Sequence, residues 1–155
     1  MDLRPDSIIA ADVVRGVSRM FMRHDILSIS EVPLGNGRRV DLFALSPKGE
    51  IIIVEIKISK ADLLGDGKWP EYLGYCDRFF WAVPQGFDVA LLDRPAMQPE
   101  RTGLIVADRY DGAIIREAVA TNMAPARRKV ETIRFARRAA RRLLVSIEAE
   151  DQTAF

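Results

Sequence analysis

The sequence contains a single cysteine and a single histidine among its 155 residues. One cysteine cannot form an internal disulfide, and Cys76 lacks cysteine or histidine neighbours at the spacing of a zinc site. We therefore expect Cys76 to be a small buried core residue in a protein from a reducing compartment. This usage disfavours small domains that depend on disulfides or zinc for their stability.

Long apolar runs are also lacking. No stretch approaches the roughly 20 apolar residues that cross a bilayer, and the first residues lack the order of charges and apolar residues found in a signal peptide. We therefore expect a cytoplasmic protein with no membrane partner. Repeats and low-complexity segments are absent too, and 48% hydrophobic with 29% charged residues is ordinary globular usage. A single domain over 1–155 is expected.

The charge is nearly balanced overall but unevenly distributed along the chain. Residues 124–145 contain eight basic residues and one acid, Glu131, whereas the rest of the sequence contains 15 basic and 21 acidic residues. This asymmetry predicts a basic element, attached to an acidic body, that faces a polyanion such as DNA.

Hydrophobic periodicity and turn residues predict the order of helices and strands. The elements follow one another as a helix over 8–23 with start residues at 5–7, strands over 25–34, 38–45 and 50–58, an interrupted helix over 62–77, a strand over 78–83, a hairpin over 103–107 and 113–117, and a long helix over 124–147. This order indicates an α/β class with a mixed central β-sheet flanked by helices.

The hairpin formed by 38–45 and 50–58 brings two carboxylates together. If residues 47–49 form a three-residue loop with its glycine in the left-handed region, Asp41 lies directly across from Glu55. A two-residue loop would turn Asp41 towards apolar neighbours, so the first register is physically preferred. The two Cβ atoms would then lie roughly 5 Å apart, and this like-charge pair destabilises a sheet unless a cation compensates.

A hard divalent cation is the natural compensator for this pair. Mg²⁺ or Mn²⁺ binds carboxylate oxygens and keeps positions for water or phosphate oxygens. Lys57 projects to the same side as Glu55, where it can orient or help to deprotonate a water molecule. The alternative is that Glu55 and Lys57 are solvated charges on an edge strand. We favour the metal site, because both charges interrupt an otherwise apolar run that is typical of a central strand.

The spacing of Asp41, thirteen further residues and then Glu55-Ile56-Lys57, in a helix–strand–strand–strand–helix–strand order, resembles the PD-(D/E)XK nuclease superfamily. The segment 30–84 is similar to the MmcB-type DNA-repair proteins of bacteria, which are placed in that superfamily. The resemblance implies a restriction-endonuclease-like fold. It also implies that Asp41 and Glu55 are metal ligands and that Lys57 is the catalytic lysine.

Other positions follow the superfamily pattern less closely. Relatives of the exonuclease type often carry a glutamine and a tyrosine four residues apart in the next helix, where this chain has Glu71 and Tyr75. These two would share a helix face near the substrate. Many relatives add an acid from the first helix, for which Asp12 is the candidate here. Glu31, on the neighbouring strand, is the alternative outer metal ligand.

The last helix carries two separate arcs of side chains. We expect the apolar arc to pack on the domain. This arc comprises Val130, Ile133, Ala136, Ala140, Leu143, Leu144 and Ile147. The basic arc would then meet solvent or phosphate, to which the arginine fork is suited. A charged surface helix, or one that binds its own acidic body, is the alternative. The predicted DNA-binding residues are Arg127, Arg128, Arg134, Arg138, Arg141 and Arg142, with Lys60 and Lys68.

These features together predict a DNA-repair protein that hydrolyses phosphodiester bonds of DNA with Mg²⁺ or Mn²⁺. The alternative from another class is a catalytically inactive nuclease-fold module that binds DNA and recruits other repair proteins. A partner-binding domain unrelated to nucleic acid is a third hypothesis, which predicts no salt-dependent binding of DNA.

Overall fold

The structure of the protein is a computed structural model that describes residues 9–153. The helix-start residues predicted at 5–7 lie outside this range. The main elements are α1 Ala10–Arg23, β1 Leu27–Pro33, β2 Arg39–Leu45, β3 Ile51–Ile56, α2 Lys60–Leu64, β4 Arg78–Pro84, β5 Gly103–Ala107, β6 Gly112–Arg116 and α3 Pro125–Thr153. Short 3₁₀ helices cover Trp69–Tyr75, Val89–Asp93 and Pro95–Met97.

The six strands form one mixed sheet in the order of the chain. The first three strands are antiparallel neighbours, β3, β4 and β5 are parallel, and β6 returns antiparallel to β5. The segments that connect the parallel strands cover one face of the central strands and α1 covers the other, so every residue of β3 is buried. The predicted α/β class with a mixed central sheet flanked by helices is confirmed.

Helix α1 covers one face of the sheet with the apolar side that its sequence predicts. Val13, Val17, Met20 and Phe21 are buried against residues of β2 to β5. The helix approaches the β5–β6 turn so closely that a Cβ at Gly16 would lie 1.7 Å from the carbonyl oxygen of Asp108. Glycine is required at this contact because any side chain would clash with backbone.

The opposite face of the sheet is rich in aromatic residues. Trp69 of the first 3₁₀ helix packs on Phe79 and Trp81 of β4, and buried Cys76 joins the same core, as predicted. The interrupted helix predicted over 62–77 is in fact the short α2 followed by this 3₁₀ helix. The glycines at 65 and 67 and the proline at 70 break the helix more completely than predicted.

The register predicted for the β2–β3 hairpin is confirmed. Phe43 pairs with Ile53, and Leu42 with Val54. Gly49 closes the loop at φ +84°, in the left-handed region, and its N–H donates to the Ser46 carbonyl at 2.9 Å. This register places Asp41 and Glu55 at the same level, one step beyond the last pair of the ladder.

The orientation predicted for the last helix is wrong. Helix α3 extends to Thr153, but Val130, Ile133, Leu143, Leu144 and Ile147 of its apolar arc are exposed. The basic arc faces the body instead, so part of the alternative prediction, binding to the acidic body, is correct.

Polar contacts explain why the basic arc docks. Arg128 forms a two-pronged ion pair with buried Asp77, and Arg142 donates to the backbone carbonyl of Glu31 at 3.1 Å. Phe135 stacks on Phe43 at 5.5 Å between ring centroids. The sheet face is already filled by the 3₁₀ helix, so α3 finds charged groups to pair with rather than apolar surface to cover.

Candidate functional site

A cleft of about 460 Å³ opens where β2 and β3 part from each other, beside the start of α1. Its walls combine acidic and basic side chains with small residues of the helix. The lining residues are Ala10, Ala11, Val14, Ser30, Glu31, Asp41, Glu55, Ile56, Lys57 and Asp62. The cleft therefore brings together all four of the residues predicted for metal binding and for the catalytic lysine.

The two central carboxylates each bond the backbone of the opposite strand. The Asp41 N–H donates to Glu55 Oε1 at 3.1 Å, and the Ile56 N–H donates to Asp41 Oδ2 at 2.8 Å. These side-chain hydrogen bonds take the place of the next backbone hydrogen bonds between β2 and β3. One oxygen of each carboxylate is engaged in this way, which fixes both groups and leaves the second oxygen of each for a ligand.

Glu31 joins the cleft through a local reversal in β1. Ser30 pairs with Leu42 and Val32 with Val40, so Glu31 lies opposite Asp41. Its φ of +53° is in the left-handed region, which is uncommon for a glutamate inside a strand. Ile29 and Val32 consequently contact the same core although they are three positions apart, a spacing that would put them on opposite faces of a regular strand. Backbone strain of this kind is concentrated at functional sites.

The electrostatics of the pair are dominated by burial. Burial, together with the negative charge of Asp41, raises the pKa of Glu55 to about 9. Burial also raises the pKa of Asp41, against the opposing effects of the Ile56 N–H and the charge of Lys57. Glu55 is buried and Asp41 half-buried, and a cation bound between them would favour the charged form of both carboxylates.

Lys57 lies directly after β3 and is buried beside the pair. Its Nζ is 2.9 Å from Asp66 Oδ2 and 3.8 Å from Asp62 Oδ1. Burial alone would lower the pKa of Lys57, but the bond to Asp66 and the surrounding carboxylates raise it above the usual value. The lysine is therefore held as a cation, and its position is set by α2 and the loop that follows.

The donor set fits a hard divalent cation held by few protein ligands. Within residues 9–153, no three or more His, Cys, Asp or Glu side chains converge closely enough to form a metal cage. Mg²⁺ commonly binds through one or two carboxylates and keeps other positions for water and phosphate, which Asp41 and Glu55 can satisfy. Asp12 is directed elsewhere, since it accepts from the Ile9 N–H and lies 3.8 Å from Arg109 Nε.

A second concavity, of about 360 Å³, lies between α3 and the β1–β2 turn. We call it the arginine groove; it is lined by Pro33, Leu34, Gly35, Gly37, Arg134, Arg137, Arg138 and Arg141. Arg138 Nε is buried and has no hydrogen-bond partner among the described residues. Four guanidinium groups with one unsatisfied buried donor are suited to a phosphate-bearing ligand.

The arginine groove and the cleft are neighbours along β1. Arg142 donates to the backbone carbonyl of Glu31 at 3.1 Å, while Glu31 itself lines the cleft and Pro33 lines the groove. Gly35 allows the turn to meet α3 closely, since a Cβ there would lie 2.7 Å from a guanidinium nitrogen of Arg134. A bound polyanion could therefore run from the groove to the carboxylates.

Some predicted site residues have structural contacts instead. Arg127 stacks over the Tyr75 ring at 4.6 Å, and Arg128 pairs with Asp77. Glu71 forms an ion pair with Arg38. Neither Glu71 nor Tyr75 lines the cleft, because the segment is a 3₁₀ helix on which the predicted four-residue spacing no longer defines one face. Lys60 and Lys68 are exposed.

Three residues of these sites were not predicted from the sequence. Asp62 and Asp66 hold Lys57, whereas the sequence placed them only in the interrupted helix predicted over 62–77. Arg137 lines the arginine groove although it falls within the apolar arc of the helix. The Asp62 signal was available in principle, since an acid five residues after Lys57 at a helix start can fold back on it.

Comparisons with known proteins agree over nearly the whole chain. A family model described as DNA repair protein MmcB-like matches residues 3–150. Among solved structures, the SPO1766 protein of unknown function from Silicibacter pomeroyi is 44% identical, with a TM-score of 0.82 over 97% of this chain and 96% of that chain. No curated protein matches. In the described range, no helix is long and apolar enough to cross a membrane.

Proposed function

The chain belongs to the MmcB-like family of DNA-repair proteins, and from this premise we propose that it is a divalent-metal-dependent DNA phosphodiester hydrolase of PD-(D/E)XK type. Asp41 and Glu55 are the metal ligands, with Glu31 as an outer ligand. Lys57 is the catalytic lysine, and the arginine groove binds the DNA backbone. Mg²⁺ is the expected cofactor, and Mn²⁺ is its usual substitute.

One observation carries this proposal: the exchange of hydrogen bonds between Asp41 and Glu55 across the parted strands, beside buried Lys57. A structural role alone does not explain it. A buried and a half-buried carboxylate at the end of a β-ladder cost stability, and an apolar pair in a continued ladder would be more stable. A buried, strained and costly arrangement in an open cleft is typical of a functional site.

Each residue of the cleft has a defined task in this proposal. A bound Mg²⁺ would supply a Lewis acid for the phosphate and lower the pKa of an attacking water. Lys57 uses one N–H to hold Asp66 and keeps others to orient the water and to donate to a phosphate oxygen. Asp62 is not a metal ligand in this proposal, but its negative charge helps to keep Lys57 protonated.

The arginine groove positions the substrate. Arg134, Arg138 and Arg141 are directed to phosphates rather than to bases, so binding would depend on salt and little on sequence. The groove and cleft share β1, which gives the DNA strand a continuous path to the carboxylates. We therefore expect the groove to contribute to affinity and the cleft to turnover.

The test uses the full chain with labelled single-stranded, duplex and flap DNA in Mg²⁺, Mn²⁺ or EDTA. Cleavage is expected with either metal and not with EDTA. Asp41→Asn and Glu55→Gln should each lower the rate by a factor of about 100 or more while DNA binding is retained. The matched control is Glu100→Gln, the same chemical change at an exposed turn before β5, which should leave the rate unchanged.

Metal binding is measured separately by calorimetry with Mn²⁺. The unsubstituted chain and the Glu100→Gln variant should bind it, whereas Asp41→Asn and Glu55→Gln should not. Cleavage that survives both cleft substitutions would refute the assignment of the site. Salt-dependent DNA binding with no cleavage of any substrate and no Mn²⁺ binding would instead support the inactive DNA-binding module.

A further inference from the structure

Helix α3 presents a continuous apolar stripe to solvent, on the side opposite its contacts with the body. Val130 and Ile133 are 46% and 48% exposed, and Leu144 and Ile147 are 62% and 43% exposed. At 100° per residue, these residues lie about 100–180° from Arg128, Glu131 and Phe135, which are on the side of the helix that faces the body. The fold of a single chain therefore does not depend on burying this stripe.

The spacing of this stripe is that of a helix-pairing seam. Its residues alternate three and four positions apart, as in the a and d positions of a heptad repeat. We call the set the α3 seam; it comprises Ala126, Val130, Ile133, Arg137, Ala140, Leu144 and Ile147. Strict alternation over three heptads is typical of contact with another helix of similar length, and α3 has 29 residues.

The charges at the two ends of the seam favour one orientation of the partner, whereas Arg134 and Arg141, which flank its middle, would repel their counterparts. The first turns carry Arg127 and Lys129, whereas the last turns carry Glu148 and Glu150. A second copy of α3 laid antiparallel brings the basic start of each helix beside the acidic end of the other. A parallel copy would place like charges side by side at both ends, which is destabilising.

We propose that the chain forms a homodimer through antiparallel pairing of two α3 seams. In this register Val130 packs against Ile147 of the second copy, and Ile133 packs against Leu144. At the centre, Arg137 lies opposite the small Ala140 of the second copy, which leaves room for the arginine to reach solvent. Lys129 then lies beside Glu150 of the second copy, and the two-fold axis repeats every contact.

The test needs neither DNA nor metal, although Arg137 belongs both to the seam and to the arginine groove. Sedimentation of the full chain at micromolar concentrations should give twice the chain mass of 17.4 kDa. Leu144→Glu and Ile133→Glu should each give a monomer, with helix content and thermal unfolding of the monomer preserved because both side chains are exposed. A monomer for the unsubstituted chain would overturn the proposal.

The matched control is Val145→Glu. Val145 is 64% exposed and adjacent to Leu144, but it lies off the seam. This variant should remain dimeric. If Val145→Glu dissociated the dimer while Leu144→Glu did not, the interface would lie elsewhere on the helix and the proposed seam would be wrong.

Cysteine cross-linking tests the register. The double variant with Val130→Cys and Ile147→Cys should form a covalent dimer on mild oxidation, because each new cysteine faces its counterpart in the second copy. The two positions are about 25 Å apart on one helix, so they cannot bridge within a chain. Native Cys76 is buried and should not react. A covalent dimer of Val130→Cys alone would show a parallel pairing and overturn the register.

Discussion

The first and last helices of this protein carry the same kind of amphipathic pattern and use it in opposite ways. Helix α1 buries its apolar side, with Val17 and Phe21 almost completely inaccessible. Helix α3 docks through arginines, which bond Asp77 and the backbone carbonyl of Gly74, and leaves its apolar side exposed. An apolar arc thus indicates a face that needs a partner, but it does not identify that partner.

The difference follows from the surfaces available to each helix. The α1 face of the sheet offers apolar surface on β2 to β5, and within residues 9–153 no other helix covers it. The opposite face is filled by Trp69 and the rest of its 3₁₀ helix, so α3 reaches the body at the edge of that layer. There it meets buried Asp77, whose charge requires an arginine.

The largest expected loss of stability comes from a substitution on the buried side of α1. Phe21→Ala should lower the free energy of unfolding by about 3–5 kcal/mol, because Phe21 is buried and packs edge-on against Phe80. The matched substitution Leu144→Ala should cost at most about 0.5 kcal/mol in the monomer. Urea unfolding below the dimer's dissociation concentration measures both, and equal losses would contradict the comparison.

A smaller effect is expected when the polar anchor of α3 is removed. Asp77→Asn should destabilise the fold by about 2 kcal/mol at neutral pH, because Arg128 loses its charged partner. The control Asp93→Asn breaks an ion pair whose carboxylate is 67% exposed, and it should change stability by at most about 0.5 kcal/mol.

The contribution of Asp77 should depend on pH with a defined sign. Although burial alone would raise its pKa, the bond from Arg128 and the Ile51 N–H lower it below the ordinary 3.8. A lowered folded-state pKa contributes stability that is present above 3.8 and is lost as the pH falls through the folded value. The difference between the unsubstituted chain and Asp77→Asn should therefore shrink only in acid, and a constant difference would exclude this origin.

The smallest expected effect separates two neighbouring residues of α3. Phe135 stacks on Phe43 and is partly buried, so Phe135→Ala should cost about 1–2 kcal/mol. Ile133→Ala, two positions away on the exposed seam, should cost at most about 0.5 kcal/mol in the monomer. Thermal unfolding of both variants measures which substitution lowers the stability more. A larger loss of stability for Ile133→Ala would mean that the apolar arc faces the body.

The hairpin was predictable because its determinants are local. The loop at 47–49 sets the register, and the register sets Asp41 opposite Glu55 whatever the remainder of the chain does. The succession of strands along the chain was predictable for the same reason, since each strand has its own apolar pattern and turns. The positions of Asp41, Glu55 and Lys57 in one cleft followed from these local features.

The contacts that surround the two carboxylates were not predictable, because the residues that make them come from elsewhere in the chain. The pairing of Lys57 with Asp66 depends on how the broken helix after β3 folds back. The arginine groove depends on α3 meeting the β1–β2 turn, more than ninety positions away in sequence. The left-handed φ of Glu31 is a response to its neighbours in the sheet, for which a glutamate carries no signal.

The sequence by itself determined the class of fold, the register of the hairpin and the two arcs of the last helix, because periodicity and turn chemistry act over a few residues. Only the tertiary structure decided which arc of α3 faces the body and which acids surround Lys57. Those outcomes depend on competition for surface and on the pairing of buried charge, which exist only when distant segments have come together.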